Sequence, residues 1–298
     1  LMKRFIQHFI SFAVVLLFAF VSLEVPIQWN YDCQIAASAD WQCLEGINAE
    51  VLIVGNSRVE SGFDPTQIEA TTGLSTFVLA QTGWQAKLLK SKLRNYLKVN
   101  TPPKVLIIQA DPIHLGSRSD WYAKSNFLKY LFFDREDLYT TMKDYTGFHA
   151  YEFWIPFIRY RGVPGRYVRD AFNIPLELDK VKGYKPNGGM NRHEPIPAGR
   201  MTLSFSNIAM LDAFYSESPQ SKRLAVFPLV SPELYERIDG LETLRSYSRE
   251  REIQFLDLNT IIAAKPDSIY SNHTHANVFG AKLQTEQLSS AINALQLP

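Results

Sequence analysis

The sequence predicts an α/β fold built on a mostly parallel sheet. Three apolar runs, at about residues 50–54, 75–80 and 105–108, have the length and β-branched content of strands buried on both faces. Segments with helical periodicity separate these runs, and such alternation implies right-handed crossovers and a sheet covered on both sides. With 298 residues the chain is long enough to form such a domain and its core.

The predicted elements follow one another in the order that this fold requires. A short helix over 64–72 begins with Asp64 as its N-cap and Pro65 at its first position, and Gly73 ends it. The next helix, over 83–99, has apolar residues at helical spacing with lysines between them. We expect the later elements at helix 206–216, strand 224–230, helix 233–249, strand 253–258 and a closing helix over 278–295.

The alternation stops between residues 113 and 200. This stretch is rich in aromatic residues and turns, and it includes a run rich in glycine and proline at 183–199. We interpret it as an insertion that lies over the carboxyl edge of the sheet as a lid or substrate platform. The alternative is that its aromatic side chains form a core of their own.

Residues 1–23 predict a transmembrane signal anchor. The 19 residues 5–23 carry no formal charge, and at about 1.5 Å per residue they nearly span a hydrocarbon core of about 30 Å. Lys3 and Arg4 precede them, which favours a cytoplasmic N-terminus and an extracytoplasmic remainder, in the periplasm or at the cell surface. A cleaved signal peptide is the alternative, but no small-residue cleavage site directly follows the apolar run.

Residues 24–48 are expected to form a juxtamembrane stalk, because no periodic pattern persists there and its tryptophan and tyrosine residues suit a membrane interface. The chain's two cysteines, Cys33 and Cys43, lie in this stalk. In an oxidising compartment they can close a small loop as a disulfide. Two thiols without a nearby histidine would make a poor metal site.

The composition argues against two classes of partner. The formal net charge is +1 and no basic block stands out, so nucleic acid is not expected as a partner. His273 and His275 have a spacing that metal ligands can have, but no carboxylate or cysteine cluster completes a site, so we expect no metal.

Two polar loops carry the predicted chemistry. Ser57 follows the first strand in a turn that Gly55 permits, and it lies at the start of a helix, where backbone N–H groups are free. His275 lies in a polar loop before the closing helix, which would open on the same edge of a parallel sheet. The imidazole could then take the hydroxyl proton of Ser57 as a general base and return it as a general acid. The alternative is that Ser57 is only a turn or N-cap residue.

The same two loops resemble a known family. The motif Gly-Asn-Ser-Arg at 55–58, followed by Gly-Phe-Asp-Pro at 62–65, resembles the first sequence block of SGNH (GDSL-type) hydrolases. This version of the block is similar to that of membrane-anchored members that act on exported polysaccharides and cell-wall polymers. Residues 272–280 resemble the last block of the family. The resemblance covers about 50–110 and 220–296, and it does not extend to the insertion.

The resemblance implies a fold, a reaction and roles for single residues. The fold is a flavodoxin-like α/β/α sandwich, here residues 49–298 with the insertion at about 113–200. His275 aligns with the catalytic histidine, Asn277 and Gly280 with the residues that close the block, and Gly83 by position with an oxyanion donor beside the N–H of Ser57. No cofactor is implied. The implied partners are a glycan substrate and a separate multi-pass membrane acyltransferase that passes the acyl group across the membrane.

Two positions depart from the family pattern. Asn272 stands where the triad acid is expected, and an amide can orient an imidazole but cannot stabilise its charged form. The third block reads Gln109-Ala110-Asp111-Pro112 and lacks the asparagine that would complete the oxyanion hole. Asp111 or Asp267 could substitute for the acid, although capping of a local turn is the simpler expectation for each. Arg58 is expected to pair with a structural carboxylate.

A segment within the insertion suggests how the substrate is bound. Residues 153–169 carry four arginines, no acid and several aromatic residues. Among them Arg159, Arg161 and Trp154 are candidates for binding acidic sugars or phosphates, since guanidinium forks bind anions and flat rings cover sugar faces. The alternative is an amphipathic segment that lies on anionic lipid near the anchor.

The sequence therefore predicts a membrane-anchored, extracytoplasmic O-acyl transferase or esterase, most simply for acetyl groups, that acts on an exported or envelope polysaccharide. Ser57 would be the nucleophile, His275 the base and Asn272 the residue that orients it. One alternative is a catalytically lapsed glycan-binding or scaffold protein of an envelope polysaccharide assembly. Another is a lipid esterase.

Overall fold

A computed structural model of the chain describes residues 2–36, 44–84, 86–115, 140–141, 143, 181–189, 196, 199–262 and 267–296. Of residues 23–24 and 26–36 only the backbone is described. The elements are α1 (Met2–Ala36), β1 (Val51–Gly55), α2 (Ser57–Glu60), α3 (Pro65–Thr72), β2 (Thr76–Ala80), α4 (Ala86–Val99), β3 (Val105–Gln109), α5 (Pro112–Leu115), β4 (Met201–Thr202), α6 (Phe205–Ile208), α7 (Met210–Tyr215), β5 (Lys222–Phe227), α8 (Pro232–Tyr235), β6 (Ile238–Asp239), α9 (Leu241–Glu250), β7 (Gln254–Asp257), α10 (Leu258–Ile261), β8 (Tyr270–Asn272), β9 (His275–Ala276) and α11 (Val278–Asn293).

The central sheet has five strands in the order β2-β1-β3-β5-β7, and every neighbouring pair is parallel. This is the order of a flavodoxin-like sheet, in which ligands bind outside the carboxyl ends of the strands. The α/β prediction is confirmed. Two small additions, a parallel pair β4–β6 and an antiparallel pair β8–β9, lie outside this sheet.

Helices cover both faces of the sheet, because alternate residues of each strand point to opposite sides. On one face Leu52 and Val54 of β1 pack in a core with buried residues of α4, α7 and α9. On the other face Val51 and Ile53 pack with α3, α10 and α11. All of β1 to β3 is buried, which explains why these strands are continuous apolar runs in the sequence.

The ends of α3 agree with the local sequence signals, whereas the helix predicted over 233–249 is interrupted. Asp64 caps α3 by accepting from the N–H groups of Thr66 and Gln67, and Gly73 ends the helix with φ of 72°. The single helix expected over 233–249 is wrong. It is divided into α8, β6 and α9, because residues 238–239 pair with β4 as a strand and Gly240 then takes a φ of 89°, which an α-helix does not allow.

Two further helices differ from the expected ranges. The segment 206–216 forms two short helices, α6 and α7, that meet at Ala209. Helix α1 continues to Ala36 and therefore enters the stretch for which we expected no regular structure. Pro26 lies inside this helix, and proline has no backbone N–H to donate and disfavours a helix interior, so the sequence does not predict this continuation.

Part of α1 has the length and composition of a membrane span. Met2–Ser22 comprises 21 residues and contains an 18-residue stretch with a mean hydropathy of 2.1, which is not buried against the rest of the described chain. A signal sequence near an N-terminus has the same properties. The orientation of Met2–Ser22 in a membrane is therefore a proposal.

Candidate active site

Ser57 is presented by a tightly held turn at the carboxyl end of β1. Asn56 caps α2, with its side-chain oxygen accepting from the N–H of Arg58 at 3.1 Å. The N–H of Asn56 in turn donates to Oε1 of Gln109 at 2.8 Å. A Cβ on Gly55 would lie 2.4 Å from that same oxygen, so the turn requires glycine at this position. The hydroxyl of Ser57 thus stands on a rigid support at the ligand-binding edge of the sheet.

His275 meets Ser57 although 218 residues separate them. Oγ of Ser57 lies 2.8 Å from Nε2 of His275. His275 begins β9, and its partner strand β8 ends at Asn272, so the hairpin holds the imidazole over the turn of α2. The two residues predicted to share a proton are therefore within hydrogen-bond distance.

Asn272 determines the orientation and the tautomer of His275. Its Oδ1 accepts from the backbone N–H groups of Thr274 at 3.0 Å and His275 at 2.9 Å, which identifies this atom as the oxygen. The same Oδ1 lies 3.0 Å from Nδ1 of His275, and the hydroxyl of Thr274 lies 2.8 Å from Nδ1 while donating to Oδ1. Nδ1 must then carry the proton, which leaves the lone pair of Nε2 facing the hydroxyl of Ser57.

The surroundings keep the imidazole neutral. Burial of the ring, assisted by the positive charge of Arg58, lowers the pKa of His275 to about 4. Asn272 offers no negative charge to oppose these effects. At neutral pH the ring can accept a proton from Ser57, but its charged form is poorly stabilised.

Arg58 and Asp111 form a buried ion pair beneath the turn. Their side chains are 2% and 0% exposed. Asp111 also accepts from Nε2 of Gln109 at 2.6 Å and from the N–H groups of Ile113 and His114 at the start of α5. Burial opposes its ionisation, but Arg58, His114 and Gln109 outweigh burial and lower the pKa of Asp111. As expected, Arg58 pairs with a structural carboxylate and Asp111 caps a local turn.

Two cavities open on either side of the Ser57–His275 pair. The first cavity has a volume of about 210 Å³ and is lined by both residues together with Asn56, Arg58, Ile113, Met201 and Thr274. The second cavity has a volume of about 300 Å³ and is lined by the pair together with Glu60, Ser61, Thr82, Lys185, Pro186, Asn187 and Asn272. The reacting atoms are thus accessible from two directions.

Most of the second cavity was not predicted from the sequence. Lys185 and Asn187 belong to 181–189, the longest described part of the expected insertion. The only sequence signal for this wall is the glycine- and proline-rich run that begins at Gly183. Glu60, one turn after Ser57 on α2, carries no sequence signal of its own.

The remaining predicted site residues differ in how far the structure describes them. Gly83 lies in an exposed turn after β2 with φ of 79°, next to Thr82 of the second cavity, and its role as an oxyanion donor stays a prediction. Trp154, Arg159, Arg161 and Cys43 lie outside the described residues, and the side chain of Cys33 does as well. The substrate-binding and disulfide predictions are therefore not tested.

Other residues of the last sequence block serve the fold. Asn277 caps α11 by accepting from the N–H groups of Phe279 and Gly280. A Cβ on Gly280 would lie 2.4 Å from the carbonyl oxygen of Ile269. His273 faces Oγ of Ser231 at 3.0 Å instead of joining His275. Within the described ranges no group of three or more His, Cys, Asp or Glu side chains could hold a metal ion.

The chain is distantly similar to several solved structures. A GDSL-like lipase from Bacteroides thetaiotaomicron is 13% identical, with coverage of 88% of this chain and 95% of that chain and a TM-score of 0.38. A family two carbohydrate esterase from Clostridium thermocellum, in complex with cellohexaose, is 10% identical over 83% and 64% of the two chains, with a TM-score of 0.37. A carbohydrate acetylesterase family member from Sinorhizobium meliloti is 12% identical over 81% and 96%, with a TM-score of 0.31.

No protein-family model matches the sequence, and no curated protein matches it significantly. At this level of identity we assign residue roles only from the geometry of this chain.

Proposed function

We propose that the protein is an O-acyl transferase or esterase that acts on a polysaccharide through Ser57 and His275. The observation that carries the proposal is the distance of 2.8 Å between Oγ of Ser57 and the unprotonated Nε2 of His275. A hydroxyl in this arrangement can be deprotonated as it attacks an acyl carbon. The acetyl group is the simplest acyl group for the cavities that flank the pair.

The proposed reaction has two steps. Oγ of Ser57 attacks the carbonyl carbon of the ester while its proton moves to Nε2 of His275. The N–H groups of Ser57 and Gly83 are the proposed donors to the resulting oxyanion. Collapse of the intermediate breaks the bond to the alcohol, which leaves with the proton from His275. Water, or the hydroxyl of an acceptor sugar, then removes the acyl group from Ser57 by the same steps in reverse.

The site of action is proposed to be outside the cytoplasm. The apolar segment 5–23, preceded by Lys3 and Arg4, would hold the protein in a bacterial inner membrane with the α/β domain on the periplasmic side. As a transferase the protein would need an activated acyl donor there. We propose that a separate multi-pass membrane acyltransferase supplies it.

A fluorophosphonate probe tests the proposal on the full chain in detergent. The wild-type protein should be labelled, Ser57→Ala should not, and His275→Ala should be labelled much more slowly. Ser206→Ala, which removes an exposed hydroxyl of α6, is the matched control and should be labelled like the wild type. Release of acetate from an acetylated glycan should follow the same order. Labelling that persists in Ser57→Ala, or its absence from the folded wild type, would contradict the proposal.

One observation favours a second candidate, a glycan-binding protein that has lost catalysis. The amide of Asn272 takes the place of the charged group that would support an imidazolium at His275. In this case glycan affinity should be the same in wild type, Ser57→Ala and His275→Ala, and no variant should turn over an ester. Any acetate release that depends on Ser57 excludes this candidate.

A further inference from the structure

Most residues that line the second cavity have a side chain that can form hydrogen bonds. Beside the reacting pair it presents a carboxylate, an ammonium group, two amides and two hydroxyls, from Glu60, Lys185, Asn187, Asn272, Ser61 and Thr82. Both donors and acceptors are present, and Pro186 is the one apolar residue of this lining. Such a lining suits a ligand whose surface is covered with hydroxyl groups, since each hydroxyl can both donate and accept.

The wall formed by 181–189 is held against the rest of the domain from several sides. The carbonyl oxygen of Lys182 accepts from the N–H of Val78 at 3.0 Å, and the N–H of Lys185 donates to the carbonyl oxygen of Glu60 at 2.8 Å. The carbonyl oxygen of Asn187 accepts from the N–H of Val278 at 3.1 Å.

The side chain of Asn187 makes two more contacts. Its Oδ1 accepts from the N–H of Gly189 at 3.2 Å. Its Nδ2 donates to Oγ of Ser271 at 2.8 Å. These contacts connect the wall to β2, α2, β8 and α11, so the second cavity is formed before a ligand arrives.

The charges of the second cavity give no net attraction for an anionic ligand. Glu60 is 4% exposed, and its carboxylate receives the hydroxyl of Thr82. Lys185 is exposed at the rim of the cavity, so the formal charges of the lining cancel. A buried carboxylate next to the reacting pair would repel a uronate or a phosphate but would accept hydrogen bonds from neutral sugar hydroxyls.

The first cavity is lined by a different set of side chains. It is smaller, and Ile113 and Met201 supply partly exposed apolar surface next to Ser57. Its only charged lining residue, Arg58, has its guanidinium buried against Asp111. A short acyl chain needs apolar surface and no charged partner, so this cavity fits the acyl portion better than it fits a sugar.

We propose that the Ser57–His275 pair divides the site, with an uncharged sugar ring bound in the second cavity against Glu60 and Asn187 and the acyl group bound in the first cavity between Ile113 and Met201. This assignment rests on the proposed function. It also differs from the expectation, drawn from the arginine-rich segment 153–169, that the sugar is acidic.

The experiment compares two variants of the full chain in detergent, one on each side of the pair. Asn187→Ala removes an amide from the sugar side, whereas backbone contacts still hold the wall. Met201→Trp fills the acyl side. The substrates are O-acetylated xylo-oligosaccharide as a neutral glycan, O-acetylated oligogalacturonide as an anionic one, and the p-nitrophenyl esters of acetate and butyrate.

Each variant should change one selectivity. In Asn187→Ala the kcat/KM ratio of acetylated xylo-oligosaccharide to p-nitrophenyl acetate should fall at least tenfold, through KM, and the ratio of butyrate to acetate esters should not change. In Met201→Trp the ratio of butyrate to acetate esters should fall at least tenfold. The wild type should prefer the neutral glycan to the anionic one, and Glu60→Gln should weaken this preference.

Other results would overturn the assignment. Exchange of the two effects between the variants would place the sugar and the acyl group in the opposite cavities. Preference for the oligogalacturonide would refute the neutral sugar. If neither variant changes its selectivity ratio, both the sugar assignment and the acyl assignment are refuted.

A titration of Ser57→Ala with unmodified xylo-oligosaccharide separates this proposal from the proposed function. Binding that Asn187→Ala weakens would support the sugar site even if the wild type hydrolyses no ester, and absence of binding would refute the sugar site even if esters are hydrolysed.

Discussion

Replacement of Asn272 by Asp is the most informative perturbation of the reacting pair. Every hydrogen bond described for the Asn272 side chain is accepted by its Oδ1, from the N–H groups of Thr274 and His275, the hydroxyl of Thr274 and Nδ1 of the imidazole. A carboxylate oxygen accepts the same bonds and has the same shape. Asn272→Asp therefore changes the charge next to His275 and little else.

The size of the effect follows from the geometry. With about 4 Å between the centres of charge and an effective dielectric constant of about 20, the attraction is about 4 kcal/mol, or roughly 3 pKa units. Both side chains are partly exposed, which reduces this shift to about 2 units. The pKa of His275 should then rise from about 4 to about 6. A stronger base and a better stabilised imidazolium should raise kcat/KM at pH 8 by roughly ten- to a hundredfold.

The assay is the pH dependence of kcat/KM for p-nitrophenyl acetate. The reaction needs neutral His275, so activity is lost as the pH falls through its pKa. The wild type should lose activity only near pH 4, and Asn272→Asp should lose it near pH 6. Asn293→Asp is the matched control, since it adds the same charge at the far end of α11, about 24 Å along that helix from its start near His275. Its profile should match the wild type.

Two results would refute the reasoning. If the acid limb of the wild-type profile already lies near pH 6.5, burial and Arg58 do not lower the pKa of His275 in solution. If Asn272→Asp folds normally but has the wild-type profile and rate, the imidazole does not act as the base. A thermal unfolding curve of Asn272→Asp that matches the wild type excludes misfolding of the variant as the explanation.

Three further predictions concern stability. Gly183→Ala should lower the unfolding free energy by more than Gly46→Ala does. Both glycines have positive φ, but a Cβ at Gly183 would lie 1.9 Å from a carbonyl oxygen of β2, whereas a Cβ at Gly46 would have nothing within 4 Å. Equal losses of stability in thermal denaturation would contradict this prediction. Burial lowers the pKa of His114 to about 4, below its value of about 6.5 in the unfolded chain. The contribution of the neutral ring to the unfolding free energy is therefore complete above pH 6.5 and is lost as the pH falls towards 4. Between pH 7 and pH 5 the unfolding free energy measured in urea should fall by about 2 kcal/mol less in His114→Leu than in the wild type. Asp111→Asn should cost roughly 3–5 kcal/mol in urea unfolding because it leaves the charge of Arg58 buried and unpaired, and adding Arg58→Met should recover part of that loss.

Much of the fold could be predicted because its signals are local. The strands β1 to β3 are buried on both faces, so burial alone makes them apolar runs, and Asp64, Pro65 and Gly73 mark the ends of α3 in the sequence. The division of the helix expected over 233–249 could not be predicted in this way. It depends on the pairing of β6 with β4, which lies far away in the chain.

The residues of the candidate site also divide into those that local sequence signals predict and those that depend on distant contacts. Ser57 and His275 could be predicted because each lies in a loop at the carboxyl edge, where a parallel sheet brings strand ends together. Lys185 and Asn187 could not be predicted, because their place depends on where residues 181–189 cross back over β2 and α2. No periodicity or short motif encodes that crossing.

The charged groups around Ser57 explain why a pH profile is more decisive than a rate at one pH. Arg58 is paired with Asp111, and Glu60 shares the second cavity with Lys185, so the surroundings are close to neutral overall. The imidazolium and oxyanion of the proposed reaction also have opposite signs, so the net charge of the site does not change during the reaction. In such surroundings the imidazolium is not strongly favoured over the oxyanion, nor the oxyanion over the imidazolium. The neutral side chain of Asn272 does not change this. A carboxylate at position 272 would favour the imidazolium but disfavour the nearby oxyanion. The rate at pH 8 should therefore rise by less than the roughly hundredfold that a shift of about 2 pKa units alone would give, whereas the acid limb of the pH profile should move by the full shift.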